Sequence, residues 1–301
     1  MVHETPPFGP VRTITQRRAR GSTAARGKTS MGLQEADVDR IAAQFVEARR
    51  AAKALDAFPG ALPATLADAY RVQERAIALS GRAVAGWKVA GIRPDLRDHL
   101  GANRLAGPIL AGSVLRLPNG GTAQAPVFTG GFAALEAEFV AVFARDLLPV
   151  EGAFTAESIK AALSGLHAGA EIASSPLATL NDLGPTAVVS DHGNNAGAVV
   201  GPEVAGWREA DLGALTSRMS INGSVVGEGS AANVMGGPIA ALQFLAEQLA
   251  TRGRHLRAGD IVLTGMTTGI HQVVPGDRGR IEFSSAPACD IEVLGATPTG
   301  L

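Results

Sequence analysis

The sequence predicts an α+β fold, in which a helical N-terminal segment precedes a β-rich catalytic domain. Three observations predict it. Apolar residues between 35 and 80 recur at helical spacing. From residue 84 onward the pattern changes to short strands and Gly-rich turns. Asn222-Gly223 sits between Met219-Ile221 and Val225-Val226, and that dipeptide between alternating apolar residues signals a tight hairpin.

Taken in order, residues 35–53 read as a helix, with Ile41, Phe45, Ala48 and Ala52 on one face. Pro59, Gly60 and Pro63 break it. Thr65 followed by Asp68 resembles an N-cap with an acid in the first turn, opening a second helix over 66–80. Strands are predicted at 84–90, 109–116, 134–144, 168–174, 186–190, 196–200, 217–228, 260–264, 279–284 and 289–294. Two helices interrupt them, near 155–165 and 237–252. The second carries Ile239, Leu242, Leu245, Ala246 and Leu249 on one side and stops at Gly253. The organisation read from this pattern is 1–30 as an extension, 31–83 as the helical segment and 84–301 as the β-rich catalytic domain. The extension holds Arg12, Arg17, Arg18, Arg20, Arg26 and Lys28 against Glu4 alone. It lacks the apolar stretch of a secretory signal. It reads as disordered, with Met31 as the working start, although an organellar transit peptide shares its composition.

Bulk properties exclude several function classes. Of 301 residues, 46% are hydrophobic and 18% charged, which favours a packed globule over a disordered chain. A formal net charge of -1 gives no broad grip on nucleic acid or an anionic membrane. Aromatics at 4% leave few platforms for base stacking. The single cysteine, Cys289, rules out a disulfide framework within the chain and suits a reducing cytoplasm. No apolar run reaches the ~20 residues of a membrane helix. No Gly-rich stretch ends in the Lys-Ser/Thr of a phosphate loop, and none has the setting of a dinucleotide fingerprint.

The chemistry-bearing constellation is carboxylate. In Ala134-Leu135-Glu136-Ala137-Glu138-Phe139-Val140-Ala141-Val142-Phe143, side chains at i and i+2 share a strand face. Glu136 and Glu138 therefore point the same way, and that face continues as Val140 and Val142. Two neighbouring carboxylates in apolar surroundings repel and resist ionisation. A hard divalent cation resolves the conflict. Glu171 interrupts another apolar run, Ala168–Ala173, and offers a third ligand. Three carboxylates leave about half of an octahedral shell for water and substrate. The competing reading is a solvated edge strand with ordinary surface acids.

Several stretches resemble the 2-keto-4-pentenoate hydratase and 4-oxalocrotonate decarboxylase branch of the fumarylacetoacetate hydrolase superfamily. They are Gly86-Trp87-Lys88-Val89-Ala90-Gly91, Leu135–Phe139, Ala170-Glu171-Ile172, Asp191–Gly201, Gly227-Glu228-Gly229-Ser230, Gly236–Ala241 and Leu256–Gly265. Pro275-Gly276-Asp277 then precedes the last strands. The resemblance covers roughly 35–296 in unbroken order. It implies a mixed β-roll or barrel with peripheral helices, a homo-oligomer, and Mg²⁺ or Mn²⁺ held by Glu136, Glu138 and Glu171. It further implies that Lys88 carries protons, with a pKa lowered by burial and by the metal. Ser230 and Thr264 would hold the oxygens of a small 2-oxo or 2-hydroxydienoic acid.

The implied activity is hydration of a 2-hydroxy-2,4-dienoate to a 4-hydroxy-2-oxo acid. Alternatives are decarboxylation of a 2-oxo-3-enedioate, hydrolysis of an acylpyruvate through a pair such as Asp98 and His99, and a non-catalytic metal-binding partner subunit. Two departures bear on the choice. Ile109 stands where these hydratases carry an acid, so either another acid such as Asp95 or Asp98 substitutes or the reaction is not water addition. His192-Gly193-Asn194-Asn195 stands where they carry Asn-Ala-Ser.

Overall fold

The computed structural model describes residues 32–149 and 154–298. The expected extension over 1–30 lies outside the described residues. Helix α1 (Glu35–Arg50) buries Val38, Ile41, Ala42, Phe45 and Val46 along one face. These pack with Val72 and Ala76 of α2 (Leu66–Ser80) and with Leu177, Leu180 and Ala187. Thr65 opens α2 as expected, its hydroxyl accepting the Asp68 N–H at 3.1 Å.

The remaining elements follow as β1 (Val84–Gly91), α3 (Pro94–Leu100), β2 (Arg104–Leu110), β3 (Val114–Arg116), β4 (Gly121–Val127), β5 (Phe132–Phe143), α4 (Ala156–Ala162), β6 (Leu163–Ser175), α5 (Pro185–Ser190), β7 (Asn195–Glu203), β8 (Thr216–Ile221), β9 (Ser224–Ser230), α6 (Gly237–Ala250), β10 (Ile261–Met266), β11 (His271–Gln272), β12 (Arg278–Phe283) and β13 (Ala286–Gly295). The hairpin at Asn222-Gly223 forms with both residues at positive φ, 51° and 82°. Two expectations need correction. Residues 186–190 are the helix α5: Gly184 at φ 93° and Pro185 at the first helical position launch it, against the β-branched content of Thr186, Val188 and Val189. The strand expected over 109–116 is split by a turn at Gly112, φ 86°. Helix α3 and strand β4 were not anticipated. No helix of the described residues is long and apolar enough to cross a membrane.

Two sheets form. The larger runs β2-β1-β10-β5-β6-β7-β3, with β11 added to β5, and the smaller runs β4-β13-β12-β8-β9. They share one core, in which Phe139 meets Phe283 edge-on at 5.0 Å between ring centroids. The larger sheet curls into a half-barrel. Its β2 edge comes against the turn at 192–194, which leads into β7. That seam demands glycine: a Cβ at Gly107 would lie 2.2 Å from His192 O, and one at Gly193 would lie 2.8 Å from the Gly107 Cα.

Strand register then decides what faces the concave side. Lys88 pairs with Gly107 and Leu263, Leu263 with Val140, Glu136 with Glu171, and Glu171 with Ala198. Side-chain alternation therefore places Lys88, Glu136, Glu138 and Glu171 on one face. Ile109, Val140, Ala198, Val200, Ile261 and Leu263 form an apolar floor on the same side.

Candidate active site: a buried three-carboxylate cluster

Glu136 and Glu138 are two residues apart on β5, and Glu171 lies directly across from Glu136 on β6. Carboxylate oxygens of all three come within 4.8 Å of one another, and all three residues are buried. Gly169, opposite Glu138, adds no side chain to crowd them. The long antiparallel pairing of β5 with β6 thus does with register what sequence spacing alone could not.

The cluster is held from outside. Lys88 Nζ lies 3.1 Å from Glu171 Oε2. Asn195 Nδ2 donates to Glu171 Oε1 at 2.9 Å. The Gly265 N–H donates to Glu138 Oε2 at 2.6 Å. Asn195 is itself fixed, because Arg49 Nη1 donates to its carbonyl at 2.9 Å while Arg49 Nε donates to Asp191 Oδ1 at 2.6 Å. Glu171 Oε2 faces Lys88 yet accepts no aligned hydrogen bond, which leaves a buried lone pair free.

The electrostatics follow from burial. Glu136 is pushed up to about 8, by burial first and by the charge of Glu171 second, against the pull of Lys88. Glu138 is raised well above the carboxylate range by burial, then by Glu171 and Glu136; Lys88 and the Gly265 N–H pull the other way. For Lys88, burial works to lower the pKa, but the combined attraction of Glu171, Glu136 and Glu138 prevails and raises it. The raised value belongs to the metal-free cluster, where three carboxylates surround one ammonium; the expected lowering refers to the metal-loaded site. Fully ionised, three carboxylates against one lysine would leave two negative charges, which a divalent cation would cancel. An all-oxygen donor set suits a hard ion, so these residues fit such a metal.

Other expected residues fall differently. Thr264 is buried with its hydroxyl donating to Phe139 O at 2.9 Å, and strand alternation turns it away from its neighbour Leu263 on the apolar floor. Its hydroxyl proton is therefore already engaged by the neighbouring strand β5. Ser230 is half-buried and caps the turn after β9, accepting the Ala232 N–H at 3.3 Å. Ile109 is fully buried in the apolar floor. Asp95, Asp98 and His99 are exposed on α3, and Asp95 pairs with Arg93. Sequence reasoning missed Arg49, and it placed Asp191 and Gly265 in family-like stretches without giving either a role. It flagged Asn195 only as part of an unusual stretch.

The fumarylacetoacetate hydrolase C-terminal family model matches residues 111–295, more than half of the chain. The chain belongs to the fumarylacetoacetate hydrolase family. Among curated members, a 4-oxalocrotonate decarboxylase of Pseudomonas putida is 35% identical over 96 residues, which span 32% of this chain and only 36% of that protein. A 2-keto-4-pentenoate hydratase of Paraburkholderia phymatum is 28% identical over 232 residues, 76% of this chain and 86% of that protein. Among solved structures of this fold, the 4-oxalocrotonate decarboxylase of Pseudomonas putida G7, complexed with magnesium and adipate, matches with a TM-score of 0.72 at 24% identity, over 87% of this chain and 99% of that one. The fumarylpyruvate hydrolase of Pseudomonas aeruginosa, in complex with Mn²⁺ and pyruvate, matches with a TM-score of 0.51 at 15% identity, over 70% of this chain and 89% of that one.

Proposed function

We propose that the protein is a divalent-cation-dependent lyase of small 2-oxo acids, hydrating a 2-hydroxy-2,4-dienoate of the 2-keto-4-pentenoate type to a 4-hydroxy-2-oxo acid. The observation that carries this reading is the Lys88 ammonium, 3.1 Å from Glu171 within a buried cluster of three carboxylates. Glu136, Glu138 and Glu171 would hold Mg²⁺ or Mn²⁺, which when bound supplies Lewis acidity toward the carboxylate and 2-oxygen of a 2-oxo acid. Lys88 is the one proton-bearing cation in that cluster. Its role is to deliver a proton to the terminal carbon of the dienol, giving the conjugated 2-oxo-3-enoate to which water adds. Asn195 and the Gly265 N–H keep two of the carboxylates in place throughout. Ser230 is kept as a contact for a substrate oxygen. The wide coverage of the hydratase relative supports water addition.

A second reading is favoured by Ile109. With an apolar side chain where the resembled hydratases carry an acid, decarboxylation of a 2-oxo-3-enedioate needs no residue to activate water. Metal-loaded protein supplied separately with 2-hydroxypenta-2,4-dienoate and 2-oxohex-3-enedioate distinguishes the two, with Glu136→Gln alongside. Product NMR showing 4-hydroxy-2-oxopentanoate, absent with the variant, supports hydration. CO₂ release from the diacid alone moves the assignment to decarboxylation. Silence on both substrates refutes the lyase reading.

A further inference from the structure

A cavity lies where α1 and the end of α2 meet β2 and the turn before β7. It measures about 150 Å³, and Arg49, Arg50, Arg82, His192 and Asn195 are among its lining residues. No acid lines it. Arg49 is matched by Asp191. Arg50 and Arg82 are not: among the described residues they donate only to backbone carbonyls, those of Leu79 and Ser80 for Arg50 and that of Ala111 for Arg82.

His192 is 2% exposed, and its Nε2 is buried without a hydrogen-bond partner. Burial, then the charge of Arg49, depress this imidazole to about 3, against the pull of Asp191 and with Arg82 adding to the depression. It is therefore neutral, with one N–H to give. His192, Gly193 and Asn194 run at φ 54°, 69° and 66°, a left-handed stretch that costs energy at the two non-glycine positions. Such strain persists only where surrounding contacts hold it, and here Arg49 clamps both ends of the turn, at Asp191 and at Asn195.

We propose that this cavity is a binding site for a small oxyanion, a phosphate or a carboxylate group, received by Arg82 and Arg50 with the His192 imidazole donating. Two guanidiniums without acids and a buried unsatisfied ring nitrogen are the donor set such an anion requires. The site also adjoins the carboxylate cluster mechanically. Arg49 grips the backbone of Asn195, whose side chain holds Glu171. An anion that orders the arginines therefore bears on the same asparagine. The site stands whichever reaction the cluster performs.

Isothermal titration of inorganic phosphate, and separately of succinate, into the Mg²⁺-loaded full chain tests this, with ionic strength matched by NaCl. Wild type should saturate at one anion per chain. Arg82→Gln and Arg50→Gln, each confirmed folded by its thermal melt, should bind roughly tenfold more weakly, the loss expected for one charged hydrogen bond. Glu136→Gln should bind as wild type does, which separates this cavity from anion capture at the metal. Saturation by phosphate alone identifies a phosphate site, and saturation by succinate alone a carboxylate site. No saturation below about 10 mM, where only weak surface pairing is left, overturns the proposal. Undiminished binding by both arginine variants does so as well.

Discussion

Glu136→Gln should make the metal-free protein more stable, not less, and increasingly so as pH rises. Burial and Glu171 lift Glu136 from 4.5 to about 8 in the folded state. A carboxylate whose folded value is raised contributes its full stability below the unfolded value and loses it as pH climbs through the folded one. Each tenfold in ionisation corresponds to about 1.4 kcal/mol. Glu136 thus costs the metal-free fold about 3 kcal/mol at about pH 7, where it must take up a proton to fold, and on the order of 5 kcal/mol at about pH 9, where it folds ionised. Glutamine keeps the shape, removes the charge and can donate to Glu171. Calorimetric melts in chelator should show the variant level with wild type at about pH 5 and roughly 5–10 °C higher at about pH 9 for a chain of this size. Saturating Mg²⁺ should put wild type ahead at about pH 5 and roughly halve the gap at about pH 9, since an ion at 100 times its Kd adds about 2.7 kcal/mol to wild type. A variant that melts at or below wild type in chelator at alkaline pH would refute the picture of crowded, unmatched carboxylates.

Other perturbations should behave as follows. Lys88→Met should cost about 10²–10⁴ in turnover, the usual worth of a positioned acid or base. Divalent-ion affinity should be unchanged or tighter in that variant, because a competing positive charge has gone; a dienol absorbance assay beside a metal titration separates the two. Asn195→Ala leaves Glu171 Oε1 without its side-chain donor and should weaken metal binding about 10–100-fold, as for other residues that orient a metal ligand. Gly107→Ala sets a Cβ 2.2 Å from the backbone oxygen of His192, which cannot swing aside as a side chain could, and should destabilise the fold by about 1–3 kcal/mol or more in a thermal melt.

Much of the local structure was legible because it depends on local rules. Helical spacing located α1, α2 and α6. Asn222-Gly223 fixed a hairpin, and two-residue alternation put Glu136 and Glu138 on one face. Glu171 stood out as an acid within an apolar run. What stayed hidden was long-range or local-against-local. In α5, Gly184-Pro185 outweighed three β-branched residues. Arg49 reaches Asn195 across 146 residues of sequence, which no spacing announces. The donor to Glu138 is a backbone N–H, and any residue type supplies one. Thr264 stood inside a family-like run, but its hydroxyl was already engaged by a neighbouring strand. That all three carboxylates gather around Lys88 is likewise a matter of the β5–β6 register, which no local spacing announces.

Every step proposed for this site requires that Glu136, Glu138 and Glu171 together hold one divalent ion. Titrating Mn²⁺ into chelator-stripped protein and following free Mn²⁺ by electron paramagnetic resonance asks this without any assumption about substrate. The prediction is one saturable ion per chain in wild type and none of comparable affinity in Glu171→Gln. Failure of wild type to take up the ion, or equal uptake by the variant, would contradict it.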